Sequence, residues 1–205
     1  MTQRENLINK AIELKKNQKF EEALQILEKL LQEESPSGEI KKILIEVLLD
    51  YGGNLNDEWV LGYEKAAECF KRIVELDPIN YRAWYNLGIA YFNLNKTEEA
   101  LKAYNQAIKL KSDYMYCYYN IGLLYETHKG ELELALQYYE KALSYNENFT
   151  YALQACRDVR QKLEVIKLKN SMDKTKNIET HVICQNCGNF NRIGAKFCDK
   201  CGEQI

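Results

Sequence analysis

Two prolines and two histidines are all that occur in these 205 residues, and apolar runs long enough to cross a bilayer are missing altogether. So little proline leaves long stretches free to be helical. The histidines, His128 and His181, have no nucleophile near them in sequence, and no glycine-rich phosphate loop is present. No catalytic constellation can be assembled, and the chain is read as non-enzymatic. The longest apolar stretch, Ile43 to Leu49, is broken by Glu46 and falls far short of the roughly 20 residues that a membrane helix needs. Net charge is scarce too. With 28 Lys+Arg against 30 Asp+Glu the formal charge is −2, so no global basic field draws in nucleic acid or anionic lipid. The first residues carry no apolar core of a secretory signal, and a cytoplasmic, membrane-free protein is expected. Hydrophobic residues make up 46% of the chain, enough to bury a core and to argue against disorder.

What is present is a repeat. Trp84-Tyr85-Asn86-Leu87-Gly88-Ile89-Ala90-Tyr91 recurs as Tyr118-Tyr119-Asn120-Ile121-Gly122-Leu123-Leu124-Tyr125, a shift of 34 residues. A second phrase follows each first one: Ala66-x3-Phe70, Ala100-x3-Tyr104-x2-Ala107 and Ala135-x3-Tyr139-x2-Ala142, spaced by 34 and then 35 residues. The extra residue falls near Lys129-Gly130. Steps of three and four place Trp84, Leu87, Gly88 and Tyr91 on one helical face and Ala100, Tyr104 and Ala107 on one face of the next helix. Each unit is therefore a pair of antiparallel helices. Gly88, Gly122, Ala100 and Ala135 let the paired backbones approach, beside the bulk of Trp84, Tyr91 and Tyr104.

These residues resemble the tetratricopeptide repeat (TPR) family, whose W-x2-L-G-x2-Y and A-x3-F/Y-x2-A phrases are met by Trp84, Leu87, Gly88, Tyr91, Ala100, Tyr104 and Ala107. Pro78 closes the preceding unit where the family closes one. The third phrase has Tyr118 in place of Trp and no closing proline. The resemblance implies an all-α, right-handed superhelix of helix pairs, with repeats at about 4–36, 39–78, 81–113 and 115–147. In the first, Leu7, Ala11, Leu14, Ala23, Leu27 and Leu30 fit a degenerate hairpin closed by Ser35-Pro36-Ser37-Gly38. The second has an expected long loop at 52–62. A capping helix at about 149–169 follows, with Tyr151, Ala152, Ala155, Val159, Leu163 and Ile166 along it, covering the open end of the array. Polar residues 170–181 read as a flexible linker.

Four of the seven cysteines lie in the last 22 residues, as Cys184-x2-Cys187-x10-Cys198-x2-Cys201. Two residues between paired cysteines let both sulfurs converge on one ion, and four thiolates suit one structural Zn²⁺. Gly188 and Gly202 follow the pairs. Residues 182–205 resemble a small zinc ribbon, including Asn191 and the Ala195-Lys196-Phe197-Cys198 run. Val182, Ile183, Phe190, Ile193, Phe197 and Ile205 are nearly its whole expected core, too little to fold without metal. His181 is read as a linker residue, and Cys69, Cys117 and Cys156 as small buried hydrophobes.

The resemblance also implies that first helices line the inner, concave surface. The side chains left over for a partner are then Arg82, Tyr85, Asn86, Ile89, Phe92 and Asn93, and one period on Tyr116, Tyr119, Asn120, Leu123, Glu126 and Thr127. Tyr85 and Tyr119 are expected to stack into an aromatic stripe beside Asn86 and Asn120, whose amides suit an extended peptide. The same side chains also fit packing between neighbouring first helices, and both uses satisfy the spacing. A two-lysine clamp for chaperone tails is disfavoured, because Ile8, Ile12 and Tyr116 stand where basic residues belong. The expected function is thus a non-catalytic adaptor that binds a protein or peptide, with the ribbon as a second contact module. The alternative is a ribbon that contacts DNA or RNA through Arg192, Lys196 and Lys200, and near-neutral charge disfavours it.

Overall fold

The computed structural model of the protein describes residues 2–33, 38–57, 60–179 and 181–205. The chain divides into two compact units, Met1–Ala155 and Cys156–Ile205. In the first, helices run α1 Gln3–Lys16, α2 Phe20–Glu33, α3 Gly38–Leu55, α4 Tyr63–Leu76, α5 Tyr81–Asn93, α6 Thr97–Leu110, α7 Met115–Leu124 and α8 Leu132–Tyr145. A ninth helix, α9 Thr150–Glu179, starts in the first unit and continues in the second. Among the described residues no helix is long and apolar enough to cross a membrane.

The start of α1 is fixed by a capping box: Thr2 Oγ1 accepts from the Glu5 amide at 3.2 Å, and Glu5 Oε2 accepts from the Thr2 amide at 2.7 Å. The four hairpin turns each hold one left-handed residue, namely Gln18, Leu61, Asn95 and Gly130. In two of them the chain closes alike, with Lys19 N–H on Leu14 O and Lys96 N–H on Tyr91 O, both at 2.9 Å. The last turn differs by one residue. There α7 widens into a π-helical turn, Tyr125–Lys129, and the closing bond reaches from Glu131 N to Tyr125 O at 2.9 Å. The 35-residue spacing seen in the sequence is this single insertion, absorbed at a helix end.

Small residues against rings set how closely each pair packs. A Cβ on Gly88 would lie 2.4 Å from the Tyr104 ring, and one on Gly122 would lie 2.7 Å from the Tyr139 ring. The weak second hairpin uses the same device, since a Cβ on Gly52 would lie 2.9 Å from Phe70. That contact explains a departure from the expected long loop at 52–62: Gly52 and Gly53 are helical, α3 runs to Leu55, and the connection begins only at Asn56. The substitution of Tyr118 for Trp also has a physical reason. Trp84 Nε1 donates to Pro78 O at 2.9 Å, and Tyr118 Oη donates to Ser112 O at 2.8 Å, so either polar tip reaches back six residues to the same place in its repeat.

Ala11, Ala23, Leu27, Ala66, Phe70, Ala100, Tyr104, Ala135 and Tyr139 are essentially fully buried, as the hairpin reading requires. Between second helices, Arg72 forks onto both carboxylate oxygens of Glu28 at 2.9 Å each, joining α4 to α2. The Ser35-Pro36-Ser37 break and Trp59 lie outside the described residues.

In the second unit α9 stays helical through 170–179, where the polar composition suggests a linker. That stretch contains no glycine or proline to break it. Beyond it, β1 His181–Ile183 pairs antiparallel with β2 Phe190–Arg192, in the register His181↔Arg192, Val182↔Asn191 and Ile183↔Phe190. The apolar core expected here does not form. Val182, Ile183, Phe190, Ile193 and Phe197 are 39–62% exposed, while Cys184, Asn191 and Cys198 are buried. A segment this short has too few side chains to enclose one another, and its interior is occupied by sulfur.

Candidate functional site

The first unit offers a face made by first helices. Residue Arg82 is exposed at the start of α5, its Nε 3.2 Å from Tyr81 Oη, and it meets no carboxylate among the described residues. Tyr85 is half-buried, and its hydroxyl accepts from Asn120 Nδ2 at 3.1 Å. Burial raises its phenol well above the ordinary value, with the neighbouring Tyr114 adding to the shift. Half-buried Asn86 and Asn93, by contrast, have no hydrogen-bond partner among the described residues. Ile89 packs beside the core, Leu123 is half-buried and its carbonyl accepts from exposed Thr127 Oγ1 at 2.7 Å. Glu126 accepts from buried Tyr139 Oη at 2.7 Å.

Tyr85 and Tyr119 do not stack on each other as the sequence suggests. Tyr85 is tilted against Tyr116 at 6.3 Å, Tyr116 meets Phe149 edge-on at 5.3 Å, and Phe149 meets Tyr119 at 5.4 Å. No direct Tyr85–Tyr119 contact forms, and Tyr116 of α7 with Phe149, just before α9, fills the gap. Tyr81 against Tyr114 at 5.1 Å extends the ring series at one end, and Tyr119 against Tyr151 at 6.2 Å at the other. The spacing therefore picks out Tyr85, Tyr116 and Tyr119 in this ring series but not Tyr81, Tyr114, Phe149 and Tyr151. A usable signal was there, since Arg82, Tyr116 and Tyr151 hold the same place in successive units.

Two other features escape the repeat pattern. Between α1 and α3 lies a cavity of about 490 Å³ lined by Ile12, Lys16, Phe20, Ile43 and Asn54, where Lys15 pairs with Asp50 at 3.0 Å and Glu46 at 3.6 Å. The degenerate motifs of the first two hairpins hide it. His128, which has no nucleophile near it in sequence, stacks on Phe92 at 4.5 Å with its Nδ1 3.1 Å from Thr97 Oγ1. The π turn carries it there. Burial pushes the thiol of Cys69 up to about 11 and that of Cys117 to about 12, consistent with inert packing residues.

The second unit gathers Cys184, Cys187, Cys198 and Cys201, whose sulfurs all lie within 4.8 Å of one another and can hold a metal ion. Cys184 Sγ to Cys201 Sγ and Cys187 Sγ to Cys198 Sγ are each 3.6 Å. Four sulfurs at about 2.3 Å from a tetrahedral ion sit about 3.8 Å apart, so the cage fits one. Each pair is closed by the same turn: Gly188 N–H bonds Cys184 O at 2.9 Å, and Gly202 N–H bonds Cys198 O at 2.8 Å. Both glycines have φ near +70°, at 71° and 72°, which side chains rarely adopt. Burial pushes the Cys198 thiol up, but backbone N–H groups of Cys201 and Lys200 outweigh it and hold it at about 6. Those donors favour the thiolate a metal needs.

Asn191 joins the two halves of the cage. Only 1% exposed, it accepts the Asp199 amide on Oδ1 at 2.9 Å and donates Nδ2 to Asn189 O at 3.0 Å. Replacing Asn191 with alanine leaves the Asp199 amide without its acceptor, while Asn189 O keeps the Cys184 amide at 2.9 Å, so metal affinity should fall about tenfold in a chelator competition. An unchanged affinity would show that the two turns need no such brace. Arg192, Lys196 and Lys200 are exposed nearby.

Residues 81–114 and 116–149 match the tetratricopeptide repeat family, and these segments are tetratricopeptide repeats. A TPR repeat-containing protein of Methanocaldococcus jannaschii is 38% identical over 80 residues, which is 39% of this chain and 14% of that protein. The peroxisomal targeting signal receptor of Saccharomyces cerevisiae is 31% identical over 61 residues, 30% of this chain and 10% of the receptor. The chain thus spans about a seventh or less of the length of these curated relatives. Among solved structures, MamA superposes with a TM-score of 0.59 at 26% identity, covering 82% of this chain and 96% of its own. The second TPR domain of human RPAP3, solved with an HSP70 peptide, gives 0.52 at 28% identity, covering 58% of this chain and 98% of the domain.

Proposed function

We propose that the chain is a non-catalytic adaptor whose first-helix face takes a peptide or helix of a protein partner. The observation that carries this is the pair Asn86 and Asn93, half-buried on that face yet bonded to nothing among the described residues. Their amide atoms keep access to solvent, since among the described residues the buried side-chain atom without a partner is Asn56 Oδ1, and both can turn a donor and an acceptor to a peptide backbone. Peptide complexes of the RPAP3 TPR domains, with HSP70 and HSP90 peptides, support the reading by likeness. Asn120 is not free in the same sense, because it is engaged with Tyr85.

The four cysteines are the seat of one structural Zn²⁺ in this reading, since four thiolates in a closed tetrahedron leave no position open for chemistry. The metal would supply the stability that the exposed apolar side chains of residues 182–205 do not, making the ribbon a second, folded contact surface. Arg192, Lys196 and Lys200 bring three positive charges, which the −2 charge of a zinc tetrathiolate offsets, and no observation favours nucleic acid over protein here.

A double variant, Asn86→Ala with Asn93→Ala, tests the groove. It breaks no internal hydrogen bond among the described residues, so the fold should stand while recovery of the partner from lysate drops about tenfold or more. Equal recovery by the variant and the parent protein would remove the assignment of this face.

A further inference from the structure

We propose that the rings of α7 and the start of α9 form a site for an arginine side chain of the bound peptide; this rests on the reading above, in which the first-helix face takes a peptide. Phe149 lies just before α9 at 6% exposure, and three tyrosines meet its ring steeply. Tyr116 stands at 76° and 5.3 Å, Tyr119 at 67° and 5.4 Å, and Tyr151 at 68° and 5.9 Å. One buried ring is thereby walled by three others. Tyr116 is 39% exposed and Tyr151 is 68% exposed, so two of the walls reach solvent.

Charge selects the ligand. The π face of a tyrosine is negative and attracts a cation placed within about 6 Å of the ring centre. Elsewhere the chain supplies that cation itself: Lys65 lies over Tyr51 at 5.5 Å, Lys71 over Tyr91 at 5.6 Å and Lys129 over Tyr125 at 5.7 Å. Three tyrosines are exposed among the described residues, and one of them, Tyr145, likewise lies under Lys141 at 5.0 Å. The other two are Tyr116 and Tyr151, and among the described residues no lysine or arginine stands over either. The sequence gives the reason, since α7 has no charged residue and neither does the stretch 149–156. The charge that reaches the site is negative. Burial raises the Tyr119 phenol above its ordinary value, and the carboxylate of Glu126 adds to the shift. A cation is favoured in that field and an acidic side chain is repelled.

Register singles out the guanidinium. Arg82, Tyr116 and Tyr151 hold the same place in successive units, and on α5 Arg82 already lies over a tyrosine, its Cζ 5.8 Å from the Tyr81 ring centre. The chain thus makes for itself on α5 the pairing that α7 and α9 offer to a ligand. A guanidinium is also planar and more weakly hydrated than an ammonium, so it gives up less water to lie against flat rings.

NMR of the full-length protein, with tyrosine labelled on its ring carbons, tests this by titration with the acetylated and amidated tripeptide Gly-Arg-Gly. The ring signals of Tyr116 and Tyr151, identified as those missing from Tyr116→Leu and Tyr151→Leu, should shift saturably with half-saturation below about 10 mM, while those of Tyr145 stay put. The same tripeptide with citrulline for arginine keeps the shape without the charge, and it should bind at least about fivefold more weakly. Either leucine variant should weaken the arginine probe about threefold, read at the remaining ring, because leucine keeps apolar area and loses the π face. Should Tyr116→Leu disturb the ring cluster, Tyr151→Leu at the more exposed wall still carries the comparison. No saturable shift, equal binding of the citrulline tripeptide, or indifference to Tyr151→Leu would overturn the proposal. If the arginine probe fails while Asn86→Ala with Asn93→Ala still loses its partner, the groove stands and only this occupant falls. Failure of both removes the groove as well.

Discussion

If the four cysteines hold the proposed zinc, Cys184→Ser is expected to leave residues 182–205 unfolded and unable to keep a metal ion. Cys184 is 1% exposed and faces Cys201 across 3.6 Å, so a hydroxyl in its place cannot supply the thiolate that completes the tetrahedron. Structural zinc contributes an apparent 10–16 kcal/mol, about the whole folding free energy of a module this small. The parent protein should bind one equivalent of zinc by mass spectrometry under native conditions, and the variant should bind it more than about a hundredfold more weakly. Acidification should act in the same direction, because protons compete with the ion for thiolates and metal is released as pH falls. The thermal transition of the helical repeats should hardly move, since their core lies in the other compact unit. A serine variant that kept its zinc at parental affinity would mean that the four sulfurs are not the ligand set.

The second large effect is expected in that core. Alanine at Gly88 puts a methyl group 2.4 Å from the Tyr104 ring, and Tyr104 is 1% exposed, walled in so that the ring cannot swing aside. Overpacking of this kind costs about 1–3 kcal/mol, or more when nothing relaxes. For a chain of this size that is a fall in Tm of roughly 2–4 °C per kcal/mol. Calorimetry on a double-mutant cycle provides the check. Tyr104→Leu alone should destabilise by opening a cavity, yet combined with Gly88→Ala it should cost less than the two changes summed. Additive losses would show that glycine and ring are not the interlocking pair described.

These pairs also explain how much the sequence discloses. Gly88 with Tyr104 and Gly122 with Tyr139 are legible because a contact that admits nothing larger than hydrogen forces the residue type, and the type then recurs at a fixed interval. The same force places Gly52 against Phe70, but two adjacent glycines read more naturally as a loop, so the helical end of α3 was hidden by the residues that its packing demands. The four cysteines were legible for a similar reason: few residue types can ligate, and their spacing is rigid. The face of α5 and α7 was half legible. Periodicity assigns Tyr85, Tyr119 and the asparagines to it, whereas the bridging of rings by Phe149, and the capture of Asn120 by Tyr85, depend on distances between helices that no spacing along the chain encodes. In residues 182–205, hydrophobic residue types suggested an interior that so short a segment cannot enclose.

The π turn at Tyr125–Lys129 shows where the array can take up a change of length. A repeat array tolerates a change of length only where the slack does not rotate everything downstream, and a widened last turn before Gly130 is such a place: α8 still meets α7 with Tyr139 against Gly122. The added residue has not stayed idle filler. It brings His128 onto Phe92 of the preceding unit and within reach of Thr97. The extra residue thus serves as a fastening between neighbouring repeats, and shortening the turn by one residue would restore the regular period while undoing the clasp.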